Sequence, residues 1–243
     1  MQNKTYVIGD IHGGLKALVQ VLERAPFRKT DTLIFLGDYV DGWSESPQVL
    51  DFLMDFRKSQ NCIFIKGNHD DLLLNYLKSG SYHQEWFVHG GKSTLEAYQS
   101  YNESQIETHI EFLESLQGHF LDAKNRLFLH AGFTNMKGVD FEFFKKLFYW
   151  DRTLWETAVS LNPLLDKNDP AYPARLTVYD EIYIGHTPTT RLGSTLPMQK
   201  ACVWNIDTGA AFKGPVTILD CETKEFWQSD PLPSLYPDET GRN

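Results

Sequence analysis

Five short apolar runs, each followed within a few residues by glycine and by a histidine or carboxylate, most limit how this chain can fold. The runs occupy residues 6–8, 33–36, 63–65, 127–129 and 182–184. Continuous β-branched and aromatic runs of this length are typical of strands buried on both faces of a sheet. The polar residues that follow them lie where α/β folds place their sites, in loops beyond the carboxyl ends of strands.

Amphipathic helices are predicted between the first runs, because apolar residues recur there at helical spacing. The two sets are Leu15, Leu18, Val19 and Leu22, and Val49, Phe52, Leu53 and Phe56. Strands that alternate with helices over residues 5–70 predict a largely parallel start to the sheet. After residue 182 the runs become shorter and richer in turns, which favours antiparallel strands at 202–206, 216–219 and 225–228.

The chain of 243 residues is long enough for one domain or a small pair. Residues 71–117 and 141–161 are predicted to be helical, and we expect helical cover at about 71–161 beside the sheet rather than a separate domain. Residues 1–228 are therefore predicted to form a single domain. The Pro-rich residues 229–243 are predicted to form an irregular, partly mobile tail.

The acidic composition excludes some classes of partner. Lys and Arg total 23 against 32 Asp and Glu, a net charge of −9, so we expect no nucleic acid and no membrane among the partners. Three scattered cysteines without a C-x-x-C pair indicate neither a disulfide framework nor a thiolate zinc site. The first residues show no signal-peptide pattern, so a cytoplasmic location is expected. Nothing in the pattern predicts the oligomeric state.

The polar residues at the strand ends form a coherent set of metal ligands. The set is Asp10, His12, Asp38, Asp41, Asn68, His69, His130 and His186. Carboxylates, imidazoles and one amide without a thiolate suit Mn, Fe or Zn. They are too many for one tetrahedral ion, whereas two ions about 3.5–4 Å apart would share them around a bridging carboxylate. The chemistry indicated is in-line hydrolysis of a phosphoester.

Five short motifs carry a resemblance to a known family. GDIHG, GDYVDG, GNHD, HAG and GHTP occur in this order, with Asp10 and Asp38 28 residues apart and Asp38 and Asn68 30 apart. This pattern resembles the phosphoprotein phosphatase branch of the calcineurin-like metallophosphoesterases, including its bacterial serine/threonine phosphatases. The resemblance covers about residues 6–209. It implies a four-layer α/β/β/α sandwich of two mixed sheets flanked by helices.

The resemblance also implies a role for each site residue. The metal ligands it implies are Asp10 and His12 for the first ion, Asp38 as the bridge, and Asn68, His130 and His186 for the second ion. His69 would protonate the leaving oxygen, and Asp41 would orient His69. Arg152 and Asn68 would contact the substrate phosphate. Two divalent ions are implied as cofactors, with Mn expected in vitro and Fe or Zn as alternatives.

The activity implied is hydrolysis of a phosphate monoester by metal-hydroxide attack, with a histidine as general acid. The expected substrate is phosphoserine or phosphothreonine in a protein, or a small phosphoester. A symmetrical bis(5'-nucleosyl)-tetraphosphatase is the alternative, since such enzymes resemble this chain in the same metal motifs. A catalytically silent binding protein with the same fold is a third possibility.

One departure from the family pattern concerns the substrate phosphate. The resemblance predicts GDYVDRG at the second motif, but the chain has Gly42 followed by Trp43. The arginine that would hold phosphate oxygens is therefore missing, and weaker phosphate binding is expected. Arg152 would be the main remaining cation, with Lys66 and Arg175 as conceivable substitutes. The third motif ends in Asp70 where the family more often has glutamate, a milder change.

Overall fold

A computed structural model describes residues 3–242, which contain two five-stranded mixed sheets. The strands are β1 (Thr5–Ile8), β2 (Thr32–Phe35), β3 (Asn61–Phe64), β4 (His119–Leu121), β5 (Arg126–Leu129), β6 (Glu181–Ile184), β7 (Met198–Lys200), β8 (Val203–Asn205), β9 (Thr217–Asp220) and β10 (Phe226–Gln228). The first sheet has the order β10-β9-β1-β2-β3, and the second has the order β4-β5-β6-β8-β7. Each sheet has three parallel strands, β1-β2-β3 in one and β5-β6-β8 in the other, with antiparallel strands beside them.

Helices cover the outer face of each sheet. They are α1 (Leu15–Arg24), α2 (Ser46–Phe56), α3 (Asn68–Ser79), α4 (Gln84–Trp86), α5 (Lys92–Tyr98), α6 (Glu103–Glu114), α7 (Leu147–Trp150), α8 (Thr153–Ser160) and α9 (Leu232–Leu235). The first six and α9 contribute to one apolar cluster with the first sheet. Helices α7 and α8 contribute to a second cluster with the other sheet. In the described part of the chain, no helix is long and apolar enough to cross a membrane.

The two sheets pack face to face through a third apolar cluster. In β1, Tyr6 and Ile8 point into the helix-covered cluster, whereas Val7 joins Phe128 and Tyr183 between the sheets. Both faces of the central strands are thus buried, which explains why their sequences are continuous apolar runs. The layers are helix, sheet, sheet and helix, so the predicted four-layer α/β/β/α sandwich is confirmed.

Three details differ from the expectation. Strands β4 and β7 were not predicted; their residues are exposed or only partly buried, so they lack the continuous apolar run of a central strand. Strand β8, expected to be antiparallel, is antiparallel only to β7 and pairs in parallel with β6. Strands β9 and β10 are antiparallel as expected.

The C-terminal segment packs onto the domain. Of the residues predicted to form a tail, 229–242 are described; they contain α9 and are otherwise irregular. Leu232 and Tyr236 are buried against the helix-covered face of the first sheet. Asn243, which the same prediction included, lies outside the described residues.

The packing between the sheets can be tested at Phe128. Its ring is fully buried and stacks on Tyr183 with centroids 4.9 Å apart. We expect Phe128→Ala to lower the free energy of unfolding by about 3–5 kcal/mol, because it leaves a cavity between two rigid layers. The matched control is Phe143→Ala, at a ring that is 84% exposed, with an expected change within about 0.5 kcal/mol. Urea unfolding curves that coincide for the two variants would contradict this packing.

Candidate metal centre

The carboxyl ends of five strands meet at the boundary between the two sheets. The residues that follow β1, β2, β3, β5 and β6 there are Asp10, Asp38, Asn68, His130 and His186. Among the contacts that join the sheets there, the His130 Nδ1 atom lies 2.8 Å from the Leu36 carbonyl oxygen, and the His186 amide donates to Asp10 at 3.2 Å. Gly185 permits the second contact, because a Cβ atom at that position would overlap Asp10 Oδ1. All five of these site residues are buried.

Four of the site residues have a left-handed backbone. The φ angles are +54° at His12, +53° at Asp38, +72° at Asp41 and +66° at His186. Non-glycine residues adopt this region at a cost of about 1–3 kcal/mol each and tend to cluster at functional sites. Tight turns of this kind aim side chains from neighbouring loops at one point.

The Asp70 carboxylate fixes the loops that follow β2 and β3. It accepts hydrogen bonds from the backbone amides of Asp38 at 2.9 Å, Tyr39 at 2.9 Å and Gly67 at 2.8 Å. Asp70 is fully buried, so these three bonds replace its hydration. Its side chain therefore holds the GDYVDG and GNHD motifs together, a role that the sequence did not reveal.

Backbone carbonyls orient two of the imidazoles. His12 Nδ1 lies 3.0 Å from the Asp41 carbonyl oxygen, and His130 Nδ1 makes the equivalent contact with Leu36. Because a carbonyl only accepts hydrogen bonds, Nδ1 is the protonated nitrogen in both rings. The Nε2 atoms of His12 and His130 are thus the ones that face the centre, as is usual for histidines that bind metals.

Asp38 lies between these two rings. Its Oδ2 atom is 3.5 Å from His12 Nε2 and 3.4 Å from His130 Nε2, while its Oδ1 atom accepts from the His69 amide at 2.9 Å. Two groups of ligand atoms, each within 4.8 Å, share this carboxylate: His12, Asp38 and His69, and Asp38, His130 and His186.

The remaining predicted ligands border the same two groups. Asn68 Oδ1 lies 2.9 Å from His186 Nδ1 and 3.2 Å from His130 Nε2. Asp10 Oδ2 lies 3.7 Å from His12 Nε2. The structure thus brings together the six residues predicted to bind metal, and it adds a His69 nitrogen to the first group.

Burial shifts the pKa values of the carboxylates and imidazoles at the centre. Burial raises the pKa of Asp10 to about 7, and the neighbouring Asp38 adds to this effect. Burial lowers the pKa of His12 and His69, and it lowers that of His186 well below the usual range. At His130 burial also opposes protonation, but the Asp38 charge outweighs it and raises the pKa to about 9.

These residues fit divalent metal ions. Imidazole nitrogens, an amide oxygen and two carboxylates converge on one buried region, an arrangement that a bound cation would stabilise. The Asp38 charge raises the pKa of His130, so positive charge is favoured at this point of the centre. Asp10, His12 and Asp38 could hold one ion, and Asp38, Asn68, His130 and His186 could hold the other.

His69 is held by a carboxylate that has other partners. Its Nδ1 atom lies 2.6 Å from Asp41 Oδ2. Asp41 also accepts from Trp86 Nε1 at 2.5 Å and from Thr94 Oγ1 at 2.6 Å. Asp41 is fully buried and fixed by three partners. It accepts a hydrogen bond from His69 Nδ1–H, so His69 Nε2 is the nitrogen left for chemistry.

A cavity of about 1000 Å³ opens beside the centre. Its lining includes Asp38, Asn68, His69 and His186, and also Arg152. The Arg152 guanidinium donates to Thr187 Oγ1 at 3.1 Å. The two other cations considered from the sequence do not line this cavity. Arg175 is buried elsewhere, bonded to the Phe133 carbonyl.

The motifs and the fold identify the family. The family model of the calcineurin-like phosphoesterases matches residues 4–205, so the chain belongs to that family, as its motifs predicted.

Curated relatives match over short stretches. A symmetrical bis(5'-nucleosyl)-tetraphosphatase of Pseudomonas putida (strain GB-1) is 42% identical over 71 residues, 29% of this chain and 24% of that protein. A serine/threonine-protein phosphatase of Caenorhabditis elegans is 28% identical over 99 residues, 40% of this chain and 21% of that protein. The alignments thus span about a quarter or less of each relative's length.

Solved structures match over nearly the whole chain. A candidate diadenosine tetraphosphatase superposes with a TM-score of 0.63 at 21% identity, covering 94% of this chain and 93% of that chain. A protein serine/threonine phosphatase from Saccharomyces cerevisiae superposes with a TM-score of 0.54 at 16% identity, covering 95% and 83%. At these identities the likeness establishes the fold alone.

The role of Asp70 as the link between two loops can be tested with Asp70→Asn. The amide group keeps the size of the side chain but presents donors to backbone donors, so we expect the unfolding free energy to fall by about 1–3 kcal/mol. Metal affinity should fall as well, because Asp38 and Asn68 lose their fixed positions. Thermal unfolding and elemental analysis measure the two effects. The control is Asp55→Asn at an exposed ion pair with Lys58, and equal behaviour of the two variants would refute the role.

Proposed function

We propose that this protein hydrolyses phosphate monoesters at a centre of two divalent metal ions. The observation that carries the proposal is the Asp38 carboxylate, which both groups of candidate ligands share. A pair of ions that share one carboxylate is the arrangement used for in-line displacement at phosphorus. Mn²⁺ suits the oxygen and imidazole donors, and Fe or Zn would suit them too.

When bound, the two ions would polarise the phosphoryl group and supply a water-derived nucleophile at neutral pH. The chain's own residues then position the substrate and move a proton. Arg152 and Asn68, both on the cavity wall, would hold phosphate oxygens. As the imidazolium, His69 would donate its Nε2 proton to the departing oxygen, and the Asp41 carboxylate, which accepts from Nδ1–H, would stabilise that cation and fix the ring.

The substrate proposed first is a phosphorylated serine or threonine of a protein. The cavity beside the centre has a volume of about 1000 Å³, and exposed aromatic side chains such as Trp150 line it, which suits a peptide segment. The similarity over 99 residues to a serine/threonine-protein phosphatase of Caenorhabditis elegans supports the same class of substrate. A cytoplasmic location belongs to the same proposal.

A dinucleoside tetraphosphate is the second candidate substrate. Its supporting observation is the charge on the cavity wall, where Lys146, Arg152 and Arg191 are present with the aromatic rings of Tyr82 and Trp150. Such a wall could bind several phosphates and stack a base. The stretch shared with the tetraphosphatase of Pseudomonas putida points the same way.

The activity and its substrate can be tested together. The protein is stripped with a chelator, reloaded with Mn²⁺, and given a phosphothreonine peptide and diadenosine tetraphosphate in parallel. We expect metal-dependent release of phosphate from the peptide, and none from Asp38→Asn, which lacks the shared ligand. Cleavage of the dinucleotide alone would select the second candidate. Two bound metal ions with neither substrate cleaved would instead favour a catalytically silent binding protein.

The proposed role of His69 predicts an effect that depends on the leaving group. His69→Asn should lower kcat by about 10²–10⁴-fold for a phosphothreonine peptide, whose leaving oxygen needs a proton. The loss should be much smaller for p-nitrophenyl phosphate, which has a good leaving group. Elemental analysis should still find two metal ions, and His119→Asn, outside the cavity lining, serves as the control. Loss of one metal ion would make His69 a ligand, as its place in the first group also allows.

A further inference from the structure

The space beside Gly42 is occupied by an arginine from the other end of the chain. Gly42 has a φ of +112°, and a Cβ atom built on it would lie 3.3 Å from the Arg242 Cγ atom. The same Cβ atom would lie 3.3 Å from the His12 carbonyl oxygen. An arginine at position 42 would therefore be strained and would compete with Arg242 for one space.

The tryptophan that follows Gly42 anchors the segment that carries Arg242. Trp43 is fully buried, stacks on Tyr236 with centroids 5.2 Å apart, and donates from Nε1 to the Ala210 carbonyl at 2.8 Å. Gly241 lies directly against the Trp43 indole. The Arg242 amide then donates to the Ala211 carbonyl at 2.8 Å. These contacts set the backbone position from which the Arg242 side chain extends.

A second set of bonds ties the same segment to the second-motif loop. Glu239 accepts from the Ser44 amide at 3.0 Å and from the Ser44 hydroxyl at 2.7 Å. Tyr236 donates from its hydroxyl to Glu45. Residues 43–45 thus contact the C-terminal segment at three consecutive positions, so the loop and the segment form one unit.

The Arg242 guanidinium lines the cavity and is available to bind an anion. It lines the cavity with Asp38, Asn68, His69 and Arg152. Its Nε atom is buried without a hydrogen-bond partner, and the guanidinium forms no ion pair with any residue between 3 and 242. Partly buried guanidinium groups ordinarily bind a carboxylate or phosphate.

The other charges on the cavity wall do not neutralise Arg242. Arg191 and Lys146 add positive charge, and the carboxylates Asp71 and Glu85, although they line the same cavity, form no ion pair with it. Burial is the main cause that lowers the pKa of Arg152, and the Arg191 and Arg242 charges add to it. Three guanidinium groups therefore lie near one another beside the metal centre, which favours a bound anion.

We propose that Arg242 binds the substrate phosphate in place of the arginine that the second motif lacks. This inference rests on the proposed phosphoester hydrolysis and adds a residue to it. Gly42 leaves the space, Trp43 anchors the segment, and Arg242 supplies a planar fork of donors for phosphate oxygens next to Arg152 and Asn68.

Binding of inorganic phosphate tests this directly. Isothermal titration of the Mn²⁺-loaded full chain is carried out on the wild type, Arg242→Ala and Arg242→Lys. We expect the Kd for phosphate to rise about 10- to 100-fold in Arg242→Ala, as for a lost charge-assisted hydrogen bond. The Kd of Arg242→Lys should lie between those of the wild type and Arg242→Ala, because lysine keeps the positive charge but lacks the planar pair of donors of a guanidinium. Millimolar guanidinium ion should partly restore phosphate binding to Arg242→Ala.

Several controls separate this role from a structural one. Lys213→Ala removes one positive charge from an exposed side chain that does not line the cavity, and its Kd should stay within about twofold of wild type. Metal content and melting temperature should be unchanged in Arg242→Ala. For p-nitrophenyl phosphate, KM should rise more than kcat falls.

The two proposals fail in different ways. A phosphate Kd of Arg242→Ala equal to that of the wild type would overturn the role of Arg242 and leave the proposed hydrolysis intact. A wild-type protein that holds two metal ions but neither binds phosphate nor hydrolyses phosphoesters would overturn both. Equal weakening in Lys213→Ala and Arg242→Ala would show a general charge effect and would also overturn the specific role.

Discussion

Asp38 lies where the parallel strands of both sheets end, and its two oxygens face different parts of the site. One accepts the His69 amide at 2.9 Å, and the other lies within 3.5 Å of imidazole nitrogens from both sheets. A carboxylate buried at such a boundary is costly unless positive charge compensates it. The packing of the two sheets and the proposed binding of metal ions are therefore one constraint, because the layers that bury Asp38 also bring its imidazole partners together.

The same constraint explains the support around the site. Left-handed backbone at His12, Asp38, Asp41 and His186 costs free energy that ordinary loops would avoid. Asp70 offsets part of that cost with three hydrogen bonds to backbone amides. Metal binding would offset more, since ligand residues held close together are stabilised when a cation replaces their mutual repulsion.

Much of the fold and most of the candidate ligands could be predicted from sequence for a physical reason. Central strands covered on both faces must be continuously apolar, and the polar residues just after them must meet at one edge. Strands β4 and β7 were missed because their exposed or partly buried residues carry no such run. Trp86 and Thr94 were missed because their contact with Asp41 spans 45 and 53 residues and leaves no local pattern.

At Gly42 the short motif does not by itself determine which residue can contact the phosphate. The absence of an arginine from the second motif predicts weaker phosphate binding only if no residue from elsewhere in the chain occupies the space of the missing side chain. In the fold, a segment about 200 residues away reaches that space, and the residue next to the glycine holds the segment in place. A guanidinium binds phosphate according to its position and donors, not the strand from which it extends. Gly42 and Trp43 thus act together. Gly42 leaves space beside the loop, and the buried Trp43 holds the C-terminal segment that carries Arg242 next to that space.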